Sequence, residues 1–450
     1  MRALLTVFKK NLISQFQYSK FLKNLFFFSS KEHETNQKFL QVIEELKNSI
    51  INNPKNLEAL NRLGQFYLTL NMINESKQCF LEFQKQIPLN YNTYFSLGQI
   101  YYQMGMTEDA KQQLLKGLQI NPQYSHGYLL LGQINYNMGI LEEAKQNFQN
   151  YLKFNPQNSD SYKLLAVINE QMNKLNEAKE CYQEAIRINP KDDQTYLRLG
   201  ILNLNMQLLQ DSKSCFLAAL EINPQNAQAH HYLGFAYLKM NMYSEAKKSI
   251  LKALEIDPQL TQAYMNQGEI YEKQGLLNDA QSSFLKALEI NPQLSQAYAS
   301  LGYVYENQGQ NNEAVKSFLK ALEIAPSMTF LYFNLASLYH SMNMLNEAKQ
   351  SYLNTFKDYP KNFFALFNLG IIYAEMKMLS DAKYCLLQAL EIDPYHFLSN
   401  FNLGLVYQEM NQLEDAKQCY LKALSIDPRD VTSSLNLEYI ENQLKYKKKE

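Results

Sequence analysis

Residues 291–326 read NPQLSQAYASLGYVYENQGQNNEAVKSFLKALEIAP. Between Pro292 and Pro326 lie two runs of helical periodicity separated by Gly309. Tyr298, Leu301, Gly302 and Tyr305 follow the i, i+3, i+4, i+7 spacing of one helical face, and Ala314, Phe318 and Ala321 do the same in the second run. The stretch therefore predicts two helices joined by a turn. Working outward, all twelve prolines of the chain, from Pro54 to Pro428, stand 34 residues apart. Proline lacks the backbone N–H and clashes with the preceding helical turn, so each one marks the same break between helices. The chain is an internal repeat.

With position 1 set three residues after a proline, eleven full units cover 374 of the 450 residues, from 57 to 430. Position 4 is Leu or Tyr in nine units, and position 7 is Leu in all but the one with Gln267. Position 8 is Gly or Ala throughout, and position 11 is Tyr in eight units and Asn in three (Asn135, Asn169, Asn203). Position 20 is Ala or Ser, and positions 24 and 27 favour large apolar residues and Ala respectively. The pattern resembles the tetratricopeptide repeat family, whose unit is a helix–turn–helix of this length. The resemblance implies an all-α fold, an α-solenoid wound as a right-handed superhelix. A small residue at position 8 lets the two helices of a unit approach closely. Glycine or asparagine at position 15 suits a residue of positive φ that ends the first helix.

Residues 35–53 read as a capping helix before the first unit, and residues 431–450 as a closing helix with a more polar outer side and a basic tail. Such caps are needed because each unit buries its apolar face only against its neighbours. Net charge is −1 with 19 % charged residues, which points away from a nucleic-acid binder. No apolar run approaches the length of a membrane-spanning helix.

Nothing breaks the repeat in the way catalytic or ligand-binding chemistry requires. The six histidines show no HxxH or HExxH spacing, and the chain has no GxSxG, P-loop or GxGxxG pattern. His230 occupies position 4 and reads as a packed core imidazole. Cys79, Cys181, Cys215, Cys385 and Cys419 all occupy position 23, which Ser, Gln or Asn fills elsewhere. They read as small, partly exposed helical residues with no disulfide partner within reach. The expectation is no catalytic residue, no metal, no cofactor and no small-molecule substrate. The enzymes whose arrays are most similar, the glycosyltransferases acting on intracellular Ser/Thr, carry their catalytic part after the repeats. The twenty residues after 430 read as a cap and leave no room for it.

The unit starting at 363 opens FFALFNLG. In the family the inner surface is lined by first-helix positions 2, 5, 9 and 12, with position 6 beside them. The resemblance therefore places Phe330, Phe364 and Leu398 (position 2), Phe333, Phe367 and Phe401 (position 5), and Asn334, Asn368 and Asn402 (position 6) on that surface. Five phenylalanines half exposed would present roughly 400–600 Å² of apolar surface, which is the size of a contact patch. The asparagines resemble the ladder with which glycosyltransferase arrays hold the backbone of an extended peptide. The competing reading is that the phenylalanines pack between helices and the asparagines only stiffen the surface. A third family mode, a lysine–asparagine clamp for acidic C-termini, is not assembled: Lys163 is followed by Val167 and Arg198 where the clamp needs asparagines.

Residues 1–31 carry six basic residues and no acidic one. They resemble a mitochondrial presequence; the alternatives are a retained helix that touches a membrane surface or a partner, and an ordinary packed cap. The expectation is thus a non-enzymatic scaffold binding an extended or helical segment of a protein partner, in assembly of a mitochondrial complex. Membrane contact is expected only through the N-terminal segment. The alternatives are a substrate-recognition subunit of a separately encoded glycosyltransferase and a ciliary or cytoplasmic transport-complex subunit.

Overall fold

A computed structural model describes residues 30–447; the basic segment read as a presequence lies outside them, apart from its last two residues. The described residues form twenty-four α-helices and no strand. The helix Ser30–Asn52 starts earlier than the expected cap and is followed by eleven helix pairs and the closing helix Val431–Lys447. The chain forms two compact units, one reaching Leu202 and one beginning at Asn203, so the division falls inside the helix Asp193–Asn205.

Local chemistry sets each helix end. Asn56, Asn90, Asn158, Asn226 and Asn362, all at position 34, accept a hydrogen bond from the backbone N–H three residues on, which caps the first helix that follows. His396 does the same through a ring nitrogen that accepts from the Ser399 N–H. Position 15 has positive φ in all eleven units: four are glycines, and seven are not, including Gln207 and Lys377. The turn geometry requires it, because the N–H three residues past the helix bonds back five residues, as Gln310 N–H does to Tyr305 C=O at 2.8 Å.

In the first unit the core is built from Leu97, Ile100, Leu114, Leu131 and Ile134, all buried. The Phe95 ring stacks on Tyr124 with centroids 4.2 Å apart. In the second unit Phe284, Leu301, Val304, Phe318, Tyr352 and Leu369 are buried in the same way. The small residue at position 8 is a steric requirement here: a Cβ on Gly302 would come within 2.4 Å of the Phe318 ring.

Several successive repeats are tied by a lysine at position 21, which Gln281 and Val315 replace in two units. Within the first unit Lys77 lies 4.5 Å from the centroid of Tyr101, the position-11 tyrosine of the next repeat. Within the second, Lys247 and Lys383 each lie 4.8 Å from Tyr271 and Tyr407. Where position 11 is asparagine the ring is missing, and the lysine reaches a carboxylate instead. Lys111 pairs with Glu143 at 2.7 Å, and Lys145 pairs with Glu177. Asn135, Asn169 and Asn203 are themselves buried, and neither polar atom of the Asn135 carboxamide has a hydrogen-bond partner.

Three sequence expectations change. Cys385 and Cys419 are buried rather than partly exposed, and burial pushes their thiols up to about 12 and about 11. The outer side of the closing helix is mixed rather than polar: Val431, Leu435 and Tyr439 are exposed there beside Thr432, Ser434 and Glu438. His230 is half buried, with its Nε2 3.1 Å from the Pro224 carbonyl, while its neighbour His231 is the buried one.

Candidate partner-binding surface

The candidate residues all lie in the second unit, on the first helices of consecutive repeats. The helix Phe363–Glu375 shows how they separate. Phe363 and Phe367, one turn apart, lie parallel with centroids 6.3 Å apart, and both rings meet the edge of His396 at 4.7 and 5.1 Å. Phe367 is 9 % exposed and belongs to the core with Leu386, Leu403 and Val406. Phe364 forms an edge-type contact with Phe363 at 5.2 Å and is 64 % exposed.

The neighbouring repeats divide in the same way. Phe330 is 44 % exposed and Leu398 47 %. Phe333 is partly buried against Tyr352, 5.6 Å away, and Phe401 against Tyr420, 6.0 Å away. Position 2 is thus a ridge facing water, and position 5 is packing. The apolar surface is smaller than five half-exposed phenylalanines would give, because a position-5 ring is covered by its own second helix and by the following repeat.

The asparagines at position 6 are all engaged inside the chain. Asn368 donates to the Tyr352 hydroxyl at 3.0 Å, and Asn402 donates to the Leu398 carbonyl at 2.8 Å. Asn334 accepts from the Tyr303 hydroxyl at 3.4 Å. Two repeats before Asn334, Asn266 is buried against His231 at 2.9 Å, and burial takes that imidazole down to about 4. Lys163, the position-5 lysine, is held in ion pairs to Asp160 at 2.7 Å and Asp192 at 2.9 Å, so it is not presented as a clamp residue. Among the described residues no group of three or more His, Cys, Asp and Glu is placed to hold a metal ion. No described helix is long and apolar enough to cross a membrane.

Sequence reasoning missed two features. Glu272 and Glu306, at position 12 of consecutive repeats, are half buried, and burial raises the pKa of each. Position 25 of the second helix is an exposed leucine in seven consecutive repeats, from Leu217 to Leu421. The signal for the second was present: Gln149 and Gln183 occupy that position in two earlier repeats, which marks it as surface.

A family model described as the cilia and flagella-associated protein 70 C-terminal domain matches residues 29–261, more than half of the chain. The chain belongs to this family. Tetratricopeptide-repeat models match the family member further along, at 261–294, 295–328, 331–354, 363–396 and 399–430. No curated protein matches it by sequence. Among solved structures, MamA is 25 % identical over 36 % of this chain and 96 % of its own, with a TM-score of 0.34. YrrB, described as a tetratricopeptide protein with an unusual peptide-binding site, is 22 % identical over 40 % of this chain and 92 % of its own, with a TM-score of 0.34. The C-terminal part of a repeat protein from Cytophaga hutchinsonii is 17 % identical over 53 % of this chain and 98 % of its own, with a TM-score of 0.48. At these TM-scores none of the three bears on what this chain binds.

Proposed function

We propose that the chain is a non-enzymatic scaffold that takes an extended or helical segment of a protein partner on the first helices of its second unit. The tetratricopeptide fold supports a protein-interaction role. The observation that carries the reading is the ridge Phe330, Phe364 and Leu398, three large apolar side chains exposed in consecutive repeats. The helices that carry it are held by the position-5 phenylalanines Phe333, Phe367 and Phe401, which pack into the core on those same helices. Large apolar side chains presented in this way serve as anchors at interfaces. The amides of Asn334, Asn368 and Asn402 beside the ridge are engaged within the chain, so a partner meets them only by exchanging those hydrogen bonds.

The family's name supports a place in a cilium or flagellum for the partner complex. The acid-free basic segment 1–31 supports the mitochondrial alternative. One experiment addresses both. The full chain is tagged at its C-terminus, its location is imaged, and its bound proteins are identified beside a Phe330→Ala/Phe364→Ala/Leu398→Ala variant. Axonemal location, with loss of one set of proteins from the variant at unchanged helical content, supports the proposal. Location in mitochondria removes the ciliary reading. An identical set of bound proteins removes the ridge. Co-purification of an active transferase turns the reading to a substrate-recognition subunit.

A further inference from the structure

The closing helix Val431–Lys447 is apolar on two opposite faces. One face is used: Ser433 and Ile440 are fully buried, and Leu437 and Leu444 pack with them against Tyr420 and Leu413. Lys417 fixes the same side through an ion pair to Glu441 at 2.7 Å. The other face holds Val431, Leu435 and Tyr439, spaced one turn apart and 68, 60 and 53 % exposed. In the preceding repeats the residues equivalent to Leu435 (Phe333, Phe367 and Phe401) are covered by packing. Here the equivalent side chain is in water.

We propose that this face is a dimer interface, in which the closing helices of two copies of the chain pack antiparallel about a two-fold axis at Leu435. The stripe is self-complementary, as an isologous contact requires. An axis at Leu435 sets Val431 of one copy against Tyr439 of the other, a small residue against a large one, at both ends. Glu438 then faces Thr432, so no like charges oppose each other. At 1.5 Å per residue, the exposed Lys445 reaches about 9 Å past the start of the opposing helix. There it meets the turn that carries Asp427, Arg429 and Asp430, whose net charge is negative.

The area sets the strength. The three side chains expose roughly 350 Å² per copy, comparable to the largest apolar patch of an ordinary monomer. Two such patches bury about 700 Å², short of a standard stable interface, so the dimer is weak, with a Kd on the order of tens of micromolar. This contact does not depend on the ridge proposed above as a partner site.

The test is sedimentation of the full chain from about 1 to 200 µM, a range bracketing that Kd, beside Leu435→Asp and Tyr439→Lys variants. A concentration-dependent dimer that both variants abolish, with unchanged circular dichroism, supports the proposal. A chain that remains monomeric throughout overturns it, as does a dimer that the variants leave intact. A second measurement does not depend on those variants: Leu435→Cys, treated with a short bismaleimide, crosslinks between copies, while Glu438→Cys on the flank does so far less. Equal crosslinking of the two also overturns the two-fold at Leu435.

Discussion

Replacing Phe367 or Phe364 by alanine separates packing from presentation within one helix. Phe367 is 9 % exposed, stacked on Phe363 and edge-on to His396, so its removal leaves a cavity between two repeats. Phenylalanine-to-alanine changes in such sites cost about 3–4 kcal/mol. Phe364 is 64 % exposed, so only about a third of a side chain of roughly 200 Å² is withdrawn from water. At ~25 cal/mol per Å² its loss costs about 1 kcal/mol or less once alanine's own burial is subtracted. Repeats lean only on their neighbours, so the loss is read locally rather than as one global melting event. Hydrogen–deuterium exchange is the assay. In the Phe367→Ala variant, amides of Phe363–Glu375 and Phe397–Glu409 exchange on the order of 100-fold faster, while helices of the first unit are unchanged. In the Phe364→Ala variant the same amides accelerate by about fivefold at most. Equal acceleration in the two variants would refute the division of this helix into a packed and a presented face.

Other outcomes follow from single positions. Gln207→Gly, at φ 59°, raises local stability by about 0.5–1 kcal/mol in urea denaturation, because a left-handed backbone strains any side chain. Lys377→Gly gains less, since it gives up an exposed ion pair to Glu409 worth a few tenths of a kcal/mol. Gly302→Ala costs about 1–3 kcal/mol, because its Cβ would sit 2.4 Å from the Phe318 ring; an unchanged midpoint would show that the ring yields freely. Asn135→Leu stabilises by about 1–2 kcal/mol by removing a buried carboxamide without partners; destabilisation would mean that internal water satisfies it. Burial raises the Cys385 thiol to about 12, so it stays protonated at pH 8, and its alkylation in the native chain speeds up only as pH climbs toward that value. Rapid labelling of Cys385 at pH 8, read by peptide mass spectrometry, would contradict its burial.

The sequence alone determined the repeat. A proline every 34 residues, a small residue at position 8 and a turn-forming residue at position 15 are local demands, and one chain states them eleven times. Even Gln207 and Lys377 take positive φ, because the turn closes on backbone bonds whichever side chain stands there. What a given inward-facing residue does was not legible in the same way. Phe364 and Phe367 are the same amino acid three residues apart on one helix. Tertiary packing tells them apart: Leu386 of the repeat's own second helix, with His396 and Leu403 beyond it, covers Phe367 and leaves Phe364 exposed. The asparagines at position 6 share a register but find different partners, a tyrosine hydroxyl or a backbone carbonyl, according to the neighbouring helix. The closing helix carries a second apolar face that the helical period contains, but only the packed structure shows which face Ile440 buries and which one Leu435 leaves open. Periodicity fixes which residues share a face; burial depends on what the adjacent repeat places over that face, and that is a tertiary property.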